Sequence, residues 1–438
     1  MAVIEPFRGV RYNPEKVEDL NLVMAPPYDI IQEKLQNQLY EKHPYNVIRL
    51  ELSRETTKDT KKNNRYTRSG AYLKNWRDEK ILIQDEQPAL YVYFLDYVTR
   101  DGEKKTQKGF LSIALLEELD SGVVFPHENT LSGPKADRLR LMEACHANFS
   151  AIFSLYSNPE MEIVRILDET ATASPLMDVR DMDQVRHRVW PLCDSEKIRR
   201  IQKIMADLPL FIADGHHRYE TALSYRNRMR EKTGKRDGRQ GFDYVMMYFS
   251  NMEEPGLTIY PTHRLIDHLQ EFELRRYLKR IESYFQVRRF PFLRKKEFLR
   301  ELKTIGGEKH AFGLYTTESD DLFLLILHDM DRIRSMLRPE LSPVLRKLDV
   351  TILHTVLLEG LLGIGEEELK AQTHVRYVKE IDDALNAVND REVQLAFLLN
   401  GTRVEHLREV SLKGEKMPQK STYFYPKLLT GLVLNPLD

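Results

Sequence analysis

Apolar residues fall into short blocks along this chain, and the spacing within each block predicts alternating strands and helices. Residues 31–43 have helical spacing, and residues 46–52 read as a strand. The run Met24-Ala25-Pro26-Pro27-Tyr28-Asp29 has to be extended or turned, because consecutive prolines exclude helix. Residues 58–79 are polar, with Tyr66, Tyr72, Leu73 and Trp76 at helical spacing. Two strands are expected over 89–98 and 109–116, and Asp101-Gly102 between them is a hairpin signal. A helix is expected from Asp137 and a strand over 151–156. Residues 186–230 then read strand (186–192), helix (194–206), strand (209–213), tight turn and helix. Further short strands are expected at 241–249, 311–315, 322–327 and 392–399. Residues 266–308 and 328–390 read as mostly helical, and their alternating acids and bases mark solvated faces.

This order describes a mixed α/β protein in three regions: residues 1–180, residues 181–265, and residues 266–438 with a tail that returns to a site. The tail, MPQKSTYFYPKLLTGLVLNPLD, carries Tyr423, Phe424, Leu428, Leu429 and Leu432, enough apolar surface to pin a terminus that would otherwise fray. It reads equally well as a docked terminal helix.

Composition removes several functions. Lys and Arg number 66 against 67 Asp and Glu, so no global field grips DNA or an anionic membrane. The two cysteines make no disulfide framework and have no metal-ligand spacing. No stretch of about 18 apolar residues is present. The N-terminal MAVIEPFRGVRY lacks an apolar signal core, so the expected compartment is the cytoplasm. P-loop, dinucleotide fingerprint, nucleophile-elbow and HExxH patterns are absent.

The chemistry concentrates at residues 205–226, MADLPLFIADGHHRYETALSYR. An apolar strand stops at Asp214-Gly215-His216-His217-Arg218 and a helix follows. Helix N-termini attract anions, and a carboxylate, two imidazoles and a guanidinium are gathered there. Asp-Gly is also an ordinary turn pair, and Asp can simply cap a helix. Two other segments offer matching groups. Residues 127–138 supply His127, Glu128, Thr130, Ser132, Lys135 and Arg138, and the tail supplies Lys420, Ser421, Thr422 and Lys427. Phosphoryl transfer needs charge compensation around phosphoryl oxygens and a carboxylate near the accepting hydroxyl. Arg gives forked phosphate contacts and Lys a point charge. A magnesium ion held by Asp214 and substrate phosphates suits such a site better than zinc. Thr262-His263-Arg264 reads as a polar loop or an extension of the anion site. Asp349 and His354 read as core or capping residues.

The strand–helix–strand–DGHHR–helix unit resembles the core of the ParB/sulfiredoxin-like group, and DGHHRYETAL resembles the free serine kinases of that group. The blocks PFRGVRYNPEKV, APPYDII, PYNVIRLEL, GPKADRLRLM, ANFSAIFSLY, IYPTHRL and KSTYFYPKLLTGLV are similar to a long bacterial family once catalogued by its unknown function. Some of its members are associated with pyrophosphate-dependent serine kinase activity. The resemblance implies a ParB/sulfiredoxin-like catalytic core with large additional α/β elements. It implies Asp214 as base for the serine hydroxyl, with His216, His217 and Arg218 on the transferred phosphoryl group. The carboxylate facing the amino acid cannot be carried over by motif; Glu51 and Glu128 are candidates, and Arg49 is a candidate for the amino-acid carboxylate. The expected substrates are pyrophosphate and L-serine. The alternatives are an ATP- or ADP-dependent small-molecule kinase, a phosphate-ester hydrolase on the same site, and a ParB-like DNA-associated or nucleotide-sensing module.

Overall fold

Strands whose alternate residues are apolar on both faces have to be covered on both sides, and this sorts the chain into two compact units. They are Met1–Thr258 with Pro426–Asp438, and Ile259–Tyr425. In the computed structural model the described residues are 2–437 apart from Asn129, Leu131, Gln372 and Gln419; the side chains of Ser132 and Lys370 also lie outside the description. Among the described residues no helix is long and apolar enough to cross a membrane.

The first unit is built on a nine-stranded sheet. Its order is Val124–Phe125, Leu210–Asp214, Ile152–Tyr156, Tyr244–Asn251, Lys104–Leu115, Leu90–Val98, Arg186–Leu192 and Met177–Arg180, with Ile4–Glu5 added to Lys104–Leu115. Met177–Arg180 and Arg186–Leu192 are antiparallel neighbours, so the sheet continues through residue 180. The three regions expected from the sequence are thus replaced by two units. Leu210, Ile212, Met247, Phe249 and Phe110 join the main core of this unit. Each such side chain contributes about 1.5–3 kcal/mol on full burial. The helix Ser195–Ala206 feeds the strand Leu210–Asp214 and has a clear local cause. Asp194 accepts from the backbone N–H groups of Glu196 and Lys197, while Ile198, Ile201 and Met205 fall on one buried face.

The expected strand over 46–52 is a helical turn, Ile48–Glu51. The Asn46 side chain accepts from the Ile48 N–H and donates to the carbonyls of Leu22 and Met24, which favours a turn over a strand ladder. Among the described residues the tail contains no helix. It crosses the first unit in extended form, pairing Thr430 with Ala25, Leu434 with Val10, and Asn435–Pro436 with Ala147–Asn148.

The second unit holds a six-stranded antiparallel sheet. In Asp321–Leu327, Phe323, Leu325 and Leu327 enter one core while Leu322, Leu324 and Ile326 enter another. Phe285–Pro291 and Val375–Val378, expected to be helical, are its two edge strands. Edge strands carry charges that discourage further pairing, which is why these two read as solvated faces.

Candidate functional site

Two backbone irregularities aim the residues of the 214–218 turn. The strand Leu210–Asp214 pairs Ile212 with Ser154 but Asp214 with Phe153, so a bulge lies between them and redirects the Asp214 side chain. Gly215 follows with φ 96°, a left-handed conformation. A Cβ there would also come within 2.8–2.9 Å of the Arg218 guanidinium. The 18-residue helix His216–Thr233 starts at once with no side-chain cap, leaving its first N–H groups without intrahelical partners.

Lys427, brought in by the extended tail, donates to Asp214 Oδ2 at 2.8 Å. Arg218 Nη2 stands 3.9 Å from Oδ1, and Oδ1 accepts no hydrogen bond among the described residues. Arg218 also donates to the Ala151 carbonyl. Burial pushes the Asp214 carboxyl up, but Lys427 and Arg218 outweigh it and hold the group well below the usual carboxylate range.

One helical turn on, Glu220 accepts from Thr130 Oγ1 at 2.8 Å and from Lys135 Nζ at 2.7 Å. The 127–138 segment is therefore fastened to the helix that carries the DGHHR residues. His127 donates its backbone N–H to His216 Nε2 at 3.2 Å and its Nδ1–H to the Ile212 carbonyl at 2.7 Å. The two rings meet edge to face at 4.6 Å. This fixes His216 as a buried acceptor, with its own ring proton on Nδ1 when neutral. His217 is half-buried. Burial lowers its pKa, opposed by Glu128 and Glu220. The Ser132 side chain lies outside the described residues.

Other expected members of the site already have protein partners. Arg138 is 6% exposed and Glu51 3%. Arg138 donates to the Glu51 carboxylate at 3.0 Å and to Asp137, and it stacks 4.1 Å over the Tyr28 ring. Burial pushes the Glu51 carboxyl up, with Arg138 and Arg218 pulling it down. A cavity of about 40 Å³ lies among Glu51, Arg138, Ser150 and Arg218. A water needs about 10–15 Å³ of such space, so pyrophosphate does not fit between these side chains as they stand. Arg49 donates to the carbonyls of Tyr40 and His43, where it caps a helix end, and stacks on the Tyr40 ring. Lys420, Ser421 and Thr422 belong to the second unit. There the buried Ser421 donates to the Pro418 carbonyl, and the Lys420 carbonyl accepts from Arg264. Of Lys420, Ser421, Thr422 and Lys427, Lys427 alone belongs to the same unit as Asp214.

Among the described residues no three His, Cys, Asp or Glu side chains group to hold a metal ion. Asp214, the carboxylate expected to hold a magnesium ion, is already paired to Lys427.

A family model described as "Protein of unknown function (DUF1015)" matches residues 4–351. The chain belongs to the DUF1015 family. No curated protein matches it. Solved structures that resemble this DUF1015 chain include a conserved hypothetical protein from Pyrococcus furiosus (13% identity, 70% of this chain and 92% of that one, TM-score 0.31). They also include a free serine kinase in complex with AMP (12% identity, 70% and 88%, TM-score 0.33). A third is SbnI with a C-terminal truncation from Staphylococcus aureus (10% identity, 75% and 87%, TM-score 0.34).

Sequence reasoning missed Glu220, the carboxylate that fastens Thr130 and Lys135. Its signal was there: it lies four residues after His216, hence on the same helix face. Tyr28 and Asp137, which hold Arg138, left no comparable signal.

Proposed function

We propose that the Asp214 turn transfers a phosphoryl group from pyrophosphate to the hydroxyl of free L-serine, giving O-phospho-L-serine and orthophosphate. The observation that carries this reading is the division of labour on one carboxylate. Lys427 holds Oδ2 at 2.8 Å, while Oδ1 accepts no hydrogen bond among the described residues and faces Arg218 at 3.9 Å. The wording of the DGHHRYETAL segment supports the same assignment.

In the proposed step the serine Oγ bonds to phosphorus and the bridging P–O bond breaks, with orthophosphate leaving. The hydroxyl proton passes to Asp214 Oδ1. A carboxyl held well below its ordinary range is a weak base, which suits a loose transition state in which the nucleophile loses its proton late. Lys427 and Arg218 balance the charge on the leaving phosphate. If Lys427 turns from Asp214 to a phosphate oxygen, the carboxylate regains basicity as the donor binds. Glu128, whose charge acts on His217, is the carboxylate assigned to the serine ammonium. Asp214 would be the protein ligand of magnesium, which would supply charge neutralisation on phosphoryl oxygens.

The test is phosphorus NMR of the full chain with serine, magnesium and, in separate tubes, pyrophosphate, ATP or ADP. The expected result is O-phosphoserine with pyrophosphate. Product only with a nucleotide replaces the donor. Phosphate released without dependence on serine makes the site a hydrolase. A salt-sensitive DNA complex with neither product overturns the enzymatic reading.

A further inference from the structure

The second unit contains a polar cavity that the proposed reaction does not use. It measures about 190 Å³. Three segments form its wall: the residues after the helix Lys295–Gly306, the junction between Pro343–Arg346 and Asp349–Ile352, and the entry to Val404–Leu412. Lys309, Lys347 and Arg403 line it together with His310 and His406. Among the described residues neither Lys309 nor Lys347 makes an ion pair. Of the two carboxylates in the wall, Asp349 is taken by His310 Nδ1 at 2.7 Å, and Glu308 is exposed.

The wall is held in place. Arg403 donates to the carbonyls of Gly306 and Gly307 at the end of the preceding helix. Asn400 Nδ2 donates to the Leu302 and Ala311 carbonyls. A Cβ on Gly306 would come within 1.9 Å of that nitrogen, so this position must be glycine for the Asn400 contact to exist. The helix Val404–Leu412 opens beside the cavity without a side-chain cap, adding partial positive charge to that of the side chains.

Two exposed lysines that make no ion pair among the described residues and a guanidinium around a half-open cavity favour an anion. The size narrows the class. About 190 Å³ holds several waters' worth of ligand, room for a small oxyanion between the lysines. We infer that this cavity in the second unit binds a compact phosphate-type dianion, either orthophosphate or a small phosphomonoester. Lys309 and Lys347 supply the charge, Arg403 frames one wall, and Asp349 orients His310 so that its Nε2 faces away from the carboxylate partner.

The inference does not depend on the proposed reaction and is tested by equilibrium dialysis of the full chain. The probes are radiolabelled orthophosphate and O-phospho-L-serine. Lys427→Ala serves as the background, so that binding at the Asp214 turn does not contribute. Saturable binding is expected there, tighter for whichever probe matches the natural ligand. Adding Lys309→Ala and Lys347→Ala is expected to weaken it about tenfold or more, while Lys309→Arg with Lys347→Arg keeps it within about threefold. Thermal melts of each variant check folding. Absence of saturable binding by either probe in the Lys427→Ala background overturns the inference. So does binding that the double alanine variant leaves unchanged. Loss of serine phosphorylation alone bears only on the Asp214 site.

Discussion

The Arg138–Glu51 and Lys427–Asp214 pairs are chemically alike, each joining one carboxylate to one cation within the first unit, yet their surroundings give them different work. Arg138 and Glu51 are 6% and 3% exposed, and the guanidinium is committed to two carboxylates and a tyrosine ring. Lys427 and Asp214 are 16% and 23% exposed, and one carboxylate oxygen accepts no hydrogen bond among the described residues. A saturated buried pair holds structure. A partly exposed pair with an oxygen to offer can exchange partners with a ligand.

Substitutions should separate the two. Arg138→Ala leaves the Glu51 carboxylate buried without its cation, and urea denaturation is expected to show a loss of about 3–5 kcal/mol. A loss under about 1 kcal/mol would show that Glu51 is neutral or hydrated in the fold. Lys427→Ala shifts the balance: stability falls less than in Arg138→Ala, by about 1–3 kcal/mol, while kcat/KM for serine phosphorylation falls about 10²–10³-fold. Equal damage to both properties would remove the distinction.

Acid titration sharpens the comparison further. The Asp214 pKa is depressed in the fold, so its stabilising contribution is fully present above the unfolded carboxyl value near 4 and is lost as pH falls through the folded value. The stability advantage of the native chain over Lys427→Ala is thus expected to be constant from about pH 7 to 5 and to shrink below about pH 4. An advantage that grows in acid would contradict the ion pair. The smallest effect is expected at a distance from both pairs: Asp194→Ala removes the cap of Ser195–Ala206 and costs about 1 kcal/mol, with KM unchanged.

What was legible in the sequence follows the same division between local and distant causes. The strand–helix–strand–turn–helix order at 186–230 could be read because its periodicity changes within a few residues and Asp194 and Gly215 punctuate it. The 46–52 segment misled because its apolar alternation suits a strand, whereas the Asn46 side chain bonds to backbone more than twenty residues away. The edge strands Phe285–Pro291 and Val375–Val378 misled because their charges resemble a helix surface. At the site, residue type suggested Asp214, Lys427, Lys135 and Arg138 together. Type alone does not reveal which cations are already neutralised. That depends on Glu51, Glu220 and Tyr28, which reach their partners only through the fold.

The most direct test of the central claim is phosphorus NMR on native and Asp214→Asn protein, each given serine, magnesium and pyrophosphate. An O-phosphoserine resonance is expected to grow with the native chain and to be reduced about 10²-fold or more in a variant that melts normally. A variant that makes product at the native rate, or a native chain that makes none from any donor, would contradict that claim.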